Sequence, residues 1–170
     1  MALGSDYVGQ DCSLARALEV VGERWSLLVL RDCFLGVRRF SDFAAHLDIS
    51  RAVLTERLGS LTRAGVLRRV QVDGHPEYLL TDAGLALWPA LHALAAWGGQ
   101  HASGPEPYRV FTHAACGTRL DAVGRCGACD VAPGPADVVS EQGPAPRLGR
   151  DDSVTAALVE ARPLLQPIRA

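Results

Sequence analysis

The stretch RRFSDFAAHLDISRAVLTERLGSLTRAGVLRRV, residues 38–70, constrains this chain more than any other. Its apolar residues recur at helical spacing. Ser41 is a fitting N-cap for a short helix carrying Phe43, Ala44 and Leu47. Asp48-Ile49 makes a tight connection, and Ser50 caps a second helix. That helix has an inward stripe of Val53, Leu54, the stem of Arg57, Leu58 and Leu61. Gly65 suits the position just past a helix end. Two short helices joined by so short a turn predict a helix-turn-helix. Residues 66–72 then alternate as a strand does. Asp73-Gly74 signals a hairpin turn, with His75-Pro76 lengthening the loop, and 77–80 return. A helix-turn-helix followed at once by a hairpin is a winged helix.

The flanking segments extend the pattern. Ser13–Val21 reads as a helix with Leu14, Ala17, Leu18 and Val21 on one face. Trp25, Leu28, Val29 and Cys33 mark a second helix that ends before Gly36. After the hairpin, Thr81-Asp82 opens a long helix over 83–101. Its apolar positions, among them Leu85, Trp88, Leu91, Leu94 and Trp97, form too wide a band for one small domain to cover, so a second chain is expected there. The organisation read from the sequence is a DNA-binding and dimerisation domain over 1–102, a Cys/His module over 108–132, a loose linker over 133–150 and a helical tail over 151–170. Within the tail, 153–161 reads as a short helix that Pro163 ends.

Charge is distributed unevenly. The chain carries a net charge of −2, yet 38–72 hold seven arginines against three acids. A basic segment in an acidic chain is the footprint of a phosphate-binding face. With the apolar stripe turned inward, the second helix of the pair presents Ser50, Arg51, Ala52, Thr55, Glu56 and Gly59 outward. Arg51 is the candidate for a bidentate guanine contact and Thr55 for a thymine methyl or a phosphate. Ser50 is either a contact or only the cap. Arg38 and Arg39 are candidates to clamp the DNA backbone, with an internal ion pair the alternative for Arg39. Arg68 and Arg69 lie on opposite faces of the wing strand, so one of them is expected to face DNA. His75 is a candidate minor-groove contact.

Collinear residues over 12–98 carry a resemblance. They are Cys12, VGERW at 21–25, RRF at 38–40, DISRAVLTERLGSLTRAGVLRR at 48–69, PEYLLTDAG at 76–84 and the helix ending at Trp97. In this order they resemble the HxlR-type winged-helix transcriptional regulators. The resemblance implies a homodimer, built from the first and last helices, that binds a palindromic operator in double-stranded DNA, and a repressor is expected. It also places Cys12 where some members carry a redox-sensing thiol. The alternative for Cys12 is a small residue near the dimer seam. Cys33, on an apolar helix face, reads as core. This chain departs from the family in having Cys12-Ser13 where Cys-Pro is common.

Residues beyond 103 lie outside the resemblance. There His113, Cys116, Cys126 and Cys129 follow the spacing H-x2-C-x9-C-x2-C, the pattern of a tetrahedral structural zinc site, one per chain. Short strands at Val110-Phe111 and 118–123 would make it a zinc-ribbon-like knuckle. Four protein ligands leave no open position for substrate, which argues against catalysis. A redox pair at Cys126/Cys129 would want a helix after it, and Pro133-Gly134-Pro135 opposes one. A regulatory metal sensor and a metal-free cluster remain alternatives.

The expected fold is therefore mainly α (α+β): a winged helix-turn-helix with flanking dimerisation helices and a small C-terminal zinc-ribbon-like module. The expected function is sequence-specific DNA binding in transcription regulation. A redox- or metal-responsive sensor of the same fold and a winged-helix protein-interaction module are the alternatives. No Ser/His/Asp set, paired carboxylates or Gly-rich phosphate loop points to an enzyme. A small-molecule effector is a further expected partner that nothing in the sequence identifies. MALGSDYVGQ has no secretory pattern and no apolar run is long enough to span a bilayer, so a cytoplasmic location without membrane contact is expected.

Overall fold

Helix α1 (Ser13–Val21) forms where its apolar period predicts, but it buries Ala15 and Val21. Leu14 and Leu18 of the expected stripe point away from the chain's own core, Leu14 being 65% exposed. The computed structural model describes residues 7, 9–104, 106–145, 149 and 151–168. After a break at Gly22, α2 (Ser26–Phe34) runs through the middle of the molecule and buries Val29, Leu30, Cys33 and Phe34. It also buries Asp32 completely.

The helix-turn-helix is α3 (Phe40–Leu47) and α4 (Arg51–Arg63). Asp48 makes the turn in the left-handed region, with φ 51°. Ser50 caps α4, its hydroxyl oxygen accepting from the Val53 N–H at 3.3 Å. Ser41 is not the cap of α3. The helix starts two residues earlier than expected, with Arg39 in the N-cap position, and the Ser41 hydroxyl donates instead to Asp42. Leu54, Leu58 and Leu61 are fully buried, which seats α4 on the core along the predicted stripe.

The wing consists of β1 (Leu67–Val72) and β2 (His75–Leu80), antiparallel in register from Leu67 opposite Leu80 to Val72 opposite His75. The loop is not lengthened by His75-Pro76. Asp73 and Gly74 both have positive φ, 49° and 77°, so two residues suffice to turn the chain. The predicted long helix over 83–101 is in fact two, α5 (Asp82–Leu85) and α6 (Trp88–His101). Pro89 explains the break. It lacks an N–H and its ring would strike the carbonyl four residues back, so it sits in the first turn of a new helix.

Residues beyond 106 form β3 (Arg109–His113), β4 (Val138–Gln142), α7 (Ser153–Ala157) and β5 (Arg162–Pro163). The three strands make one antiparallel sheet in the order β3-β4-β5. The loose linker expected over 133–150 thus contains a central strand. Val138 and Ser140 of β4 are both fully buried, and the surrounding Pro and Gly residues conceal this in the sequence. The tail helix also differs from its prediction. It is capped by Asp152, ends at Ala157, and leaves 158–161 to turn the chain back, so Pro163 lies in an edge strand rather than terminating the helix.

One core joins all of this. Trp88 packs against Phe34 and against Phe111 of β3, with ring centroids 5.3 and 5.2 Å apart. Val138, Val154, Leu158, Leu164 and Ile168 belong to the same buried cluster as the winged helix. Among the described residues, no helix is long and apolar enough to cross a membrane.

Candidate functional site

The outward face of α4 carries Ser50, Arg51, Ala52, Thr55 and Glu56, all exposed. The Arg51 guanidinium lies over the Phe40 ring, 5.0 Å from its centroid. The Thr55 hydroxyl is turned back to the Arg51 carbonyl, 2.8 Å away, which leaves its methyl group outward. Arg57 is held sideways by Glu23, at 3.2 Å, and by Glu56. Its side chain is only 11% exposed, in keeping with a stem that lies in the stripe while the guanidinium reaches out to these carboxylates.

Arg38 and Arg39 turn towards a residue that the sequence reading passed over. Glu77 of β2 is only 8% exposed, and the two guanidiniums flank it at 3.9 and 3.6 Å. Arg38 also donates to the carbonyl of Leu165, at 3.1 Å. Both arginines thus sit in internal ion pairs, an alternative raised for Arg39 alone. Arg68, Arg69 and His75 are all exposed along the wing. Arg68 stands at the wing's base, where with Arg38, Leu79, Leu85 and Leu165 it lines a shallow depression of about 190 Å³.

A polar group missed from the sequence braces α3 from behind. His46 reaches Asp32 of α2 with Nε2, at 3.8 Å, and Asp152 of the tail with Nδ1, at 3.2 Å. Arg31 donates twice to Asp32, at 2.8 and 2.7 Å. Burial pushes the Asp32 carboxyl up, against the pull of Arg31 and His46. Burial raises Asp152 too, but bonds from the Thr155 hydroxyl and N–H and from His46 outweigh it and hold Asp152 at about 2.

The four predicted metal ligands come together. Ligand atoms of His113, Cys116, Cys126 and Cys129 all lie within 4.8 Å of one another. Cys116 Sγ is 3.5 Å from His113 Nδ1 and 3.4 Å from Cys126 Sγ. Zinc bonds of about 2.3 Å to sulfur and 2.0–2.1 Å to nitrogen place tetrahedral ligands roughly 3.3–3.8 Å apart, so the donor set fits that ion. His113 ends β3, and Gly117, with φ +70°, lets the first knuckle fold back so that its N–H reaches the His113 carbonyl. Cys126 is held by its N–H to the Val131 carbonyl, 2.8 Å. Bonds from the Thr118 hydroxyl and N–H bring the Cys116 thiol down to about 6. Cys129, which hydrogen-bonds to Cys116, is pushed up to about 11. A divalent cation would take all three sulfurs as thiolates.

Cys12 is exposed just ahead of α1. Cys33 is buried as expected, and burial pushes its thiol up.

The HxlR-like helix-turn-helix family matches residues 20–105. The HTH-type transcriptional regulator Rv3095 of Mycobacterium tuberculosis is 41% identical over 136 residues, 78% of this chain and 86% of its own. An alignment of that length does not fit within the first 105 residues, so the likeness runs into the C-terminal region. YvaP of Bacillus subtilis, another HTH-type transcriptional regulator, is 37% identical over 86 residues, 48% of this chain and 80% of its own. Among solved structures, the candidate transcription factor PA1607 matches with a TM-score of 0.61 at 32% identity, covering 83% of this chain and 96% of that one. With its winged helix, its exposed α4 face and these relatives, the chain belongs to the HxlR-like helix-turn-helix family of transcriptional regulators.

Proposed function

We propose that the chain is a homodimeric repressor that reads a palindromic operator in double-stranded DNA, acts in the cytoplasm and performs no catalysis. The observation that carries this reading is the division of α4. Leu54, Leu58 and Leu61 are wholly buried, while Arg51, Ala52 and Thr55 are exposed on a helix of the length a major groove accepts. Arg51 reads a base edge and the Thr55 methyl touches a neighbouring one. Arg69 and His75 on the wing meet the phosphates and minor groove. Ser50 caps the helix at the DNA surface, and Arg38 and Arg39 meet the backbone from beside Glu77. Arg68, also exposed, stands at the wing's base on the opposite face of β1 from Arg69 and adds a further phosphate contact.

Dimerisation is supported by the apolar residues that the single chain leaves outside. Leu14 and Leu18 lie on α1 and Leu94 and Trp97 on α6, Trp97 being 57% exposed. Residues 1–102 then serve DNA binding and dimerisation, and 108–132 hold one structural zinc through His113, Cys116, Cys126 and Cys129. The ion supplies folding energy to a segment that buries Leu120 and Cys126 but leaves Tyr108, Val123 and Val131 exposed.

The test is fluorescence anisotropy of zinc-loaded protein with duplexes from its own promoter, at fixed salt. A palindromic duplex bound as two chains per duplex, with specificity over random sequence, is expected. Equal affinity for all sequences would sink the reading.

A further inference from the structure

One strand pairing and two hydrogen bonds lead from the metal ligand His113 to the start of the helix-turn-helix. His113 pairs with Val138 across β3 and β4. The Val138 carbonyl accepts from the Leu164 N–H at 2.9 Å. The next residue, Leu165, donates its N–H to the Phe34 carbonyl at 2.8 Å, and its own carbonyl accepts from Arg38 at 3.1 Å. Beyond it, the Ile168 N–H donates to the Gly36 carbonyl at 2.9 Å. Residues 164–168 thus lie as a strap across the segment between α2 and α3.

The seat is built to receive this strap. Gly36 has φ +98°, and a Cβ placed there would fall 1.9 Å from the Gln166 carbonyl oxygen, so only glycine admits the tail. Leu164 and Ile168 are buried in the core, at 3% and 5% exposure. Ahead of the strap, Val154 of α7 is fully buried, and Asp152 and Thr155 reach His46 on α3. The other end of the connection is weak by itself. Around the Cys/His cluster, Leu120 and Cys126 are buried, but Val123 and Val131 stand 64% and 42% exposed. A knuckle that buries so little depends on its ion to stay folded.

We propose that the metal centre and the DNA-reading helices are coupled through this docked tail, so that loss of the ion frees residues 162–168 and weakens operator binding. The inference rests on the DNA-binding and zinc readings above and adds a regulatory role to the centre. The switching element is the tail, docked when β3 and β4 are held at His113 and released when the knuckle unfolds. The sign follows from the packing. An undocked strap withdraws Leu164 and Ile168 from the core and takes the Leu165 carbonyl from Arg38 just ahead of α3, and α3 supports α4. Metal-loaded protein is therefore the tighter binder.

Two readouts on the full chain test this, with zinc added or removed by EDTA. Amide hydrogen exchange at Leu165 and Ile168 should quicken about tenfold or more on zinc removal, and operator affinity should fall about tenfold. Unchanged exchange at both amides would overturn the coupling and leave the centre a local staple. Faster exchange with unchanged operator affinity would overturn the link to α3. Ile168→Ala is the control that spares the ligands. It should keep one zinc per chain and bind operator more weakly, with a smaller response to EDTA. An Ile168→Ala chain that still shows the full response overturns the tail as the link. If zinc-loaded chain binds no promoter duplex while the two amides still respond, the DNA reading fails and the coupling from metal to tail is supported.

Discussion

The Arg51 guanidinium rests on the face of Phe40, 5.0 Å from the ring centroid, so the first turn of α4 and the first residue of α3 meet through a cation and an aromatic ring. The ring limits the rotamers open to an exposed arginine whose planar fork, in the proposed reading, meets a base. Arg51→Ala should cost about 1–3 kcal/mol of discrimination between operator and random DNA. Phe40→Leu, which keeps the arginine and removes its platform, should cost less but in the same direction. Competition anisotropy at fixed salt reads both, and unchanged discrimination in Arg51→Ala would reassign the base-reading position.

Arg69 carries charge on the wing without choosing a sequence. Arg69→Ala should weaken operator and random DNA alike and lower the slope of log affinity against log salt by about 0.9, one released counterion. A titration over several salt concentrations measures it.

The apolar residues of α6 that face outwards predict a concentration-dependent assembly. Trp97→Asp places a charge where a partner's apolar surface is expected and should shift the protein to monomer in sedimentation velocity. Binding to a half-site should survive better than binding to a full palindrome. A Trp97→Asp protein that sediments as a dimer would place the interface elsewhere.

Gly36→Ala should lower stability by about 1–3 kcal/mol, because the new methyl group meets the Gln166 carbonyl and the backbone there has positive φ. At Gly104, outside the helices, a Cβ meets nothing within 4 Å, so Gly104→Ala is the control and should leave the melting temperature unchanged or raise it. Differential scanning fluorimetry on the pair suffices.

Asp152 predicts a pH dependence with a definite sign. Its carboxyl is held at about 2 in the folded chain, below the ordinary value near 3.9 of an unfolded one. The stability it contributes is full above about pH 4 and disappears as pH falls through about 2. Asp152→Asn keeps a capping side chain and removes the charge. The stability difference between wild type and this variant should be largest at neutral pH and vanish near pH 2. A difference that does not change with pH would assign the effect to capping alone.

Local patterns made much of this architecture legible. Helix α1 and the buried stripe of α4 follow from apolar spacing, and Asp73-Gly74 from turn chemistry. The four-ligand cluster follows from spacing within one short segment. What escaped involves partners far apart in the chain. Glu77 lies between Arg38 and Arg39 because β2 pairs beside them, and no local period signals that. Asp32 was passed over as one acid in an apolar helix, because its partners His46 and Asp152 come from two other elements. Strand β4 is flanked by proline and glycine, whose loop signal outweighed Val138-Val139. Pro89 was in plain view, but the apolar run on both sides of it masked the break.

The strap also sets an order of assembly. Arg38 and Leu165 lie 127 residues apart in sequence, so their bond closes one of the longest loops in the molecule. During synthesis the helix-turn-helix leaves the ribosome long before the residues that cross it. Its seat at Gly36 stays open until residues 164–168 have been made. The last contacts to be made are therefore those that finish the part of the chain made first.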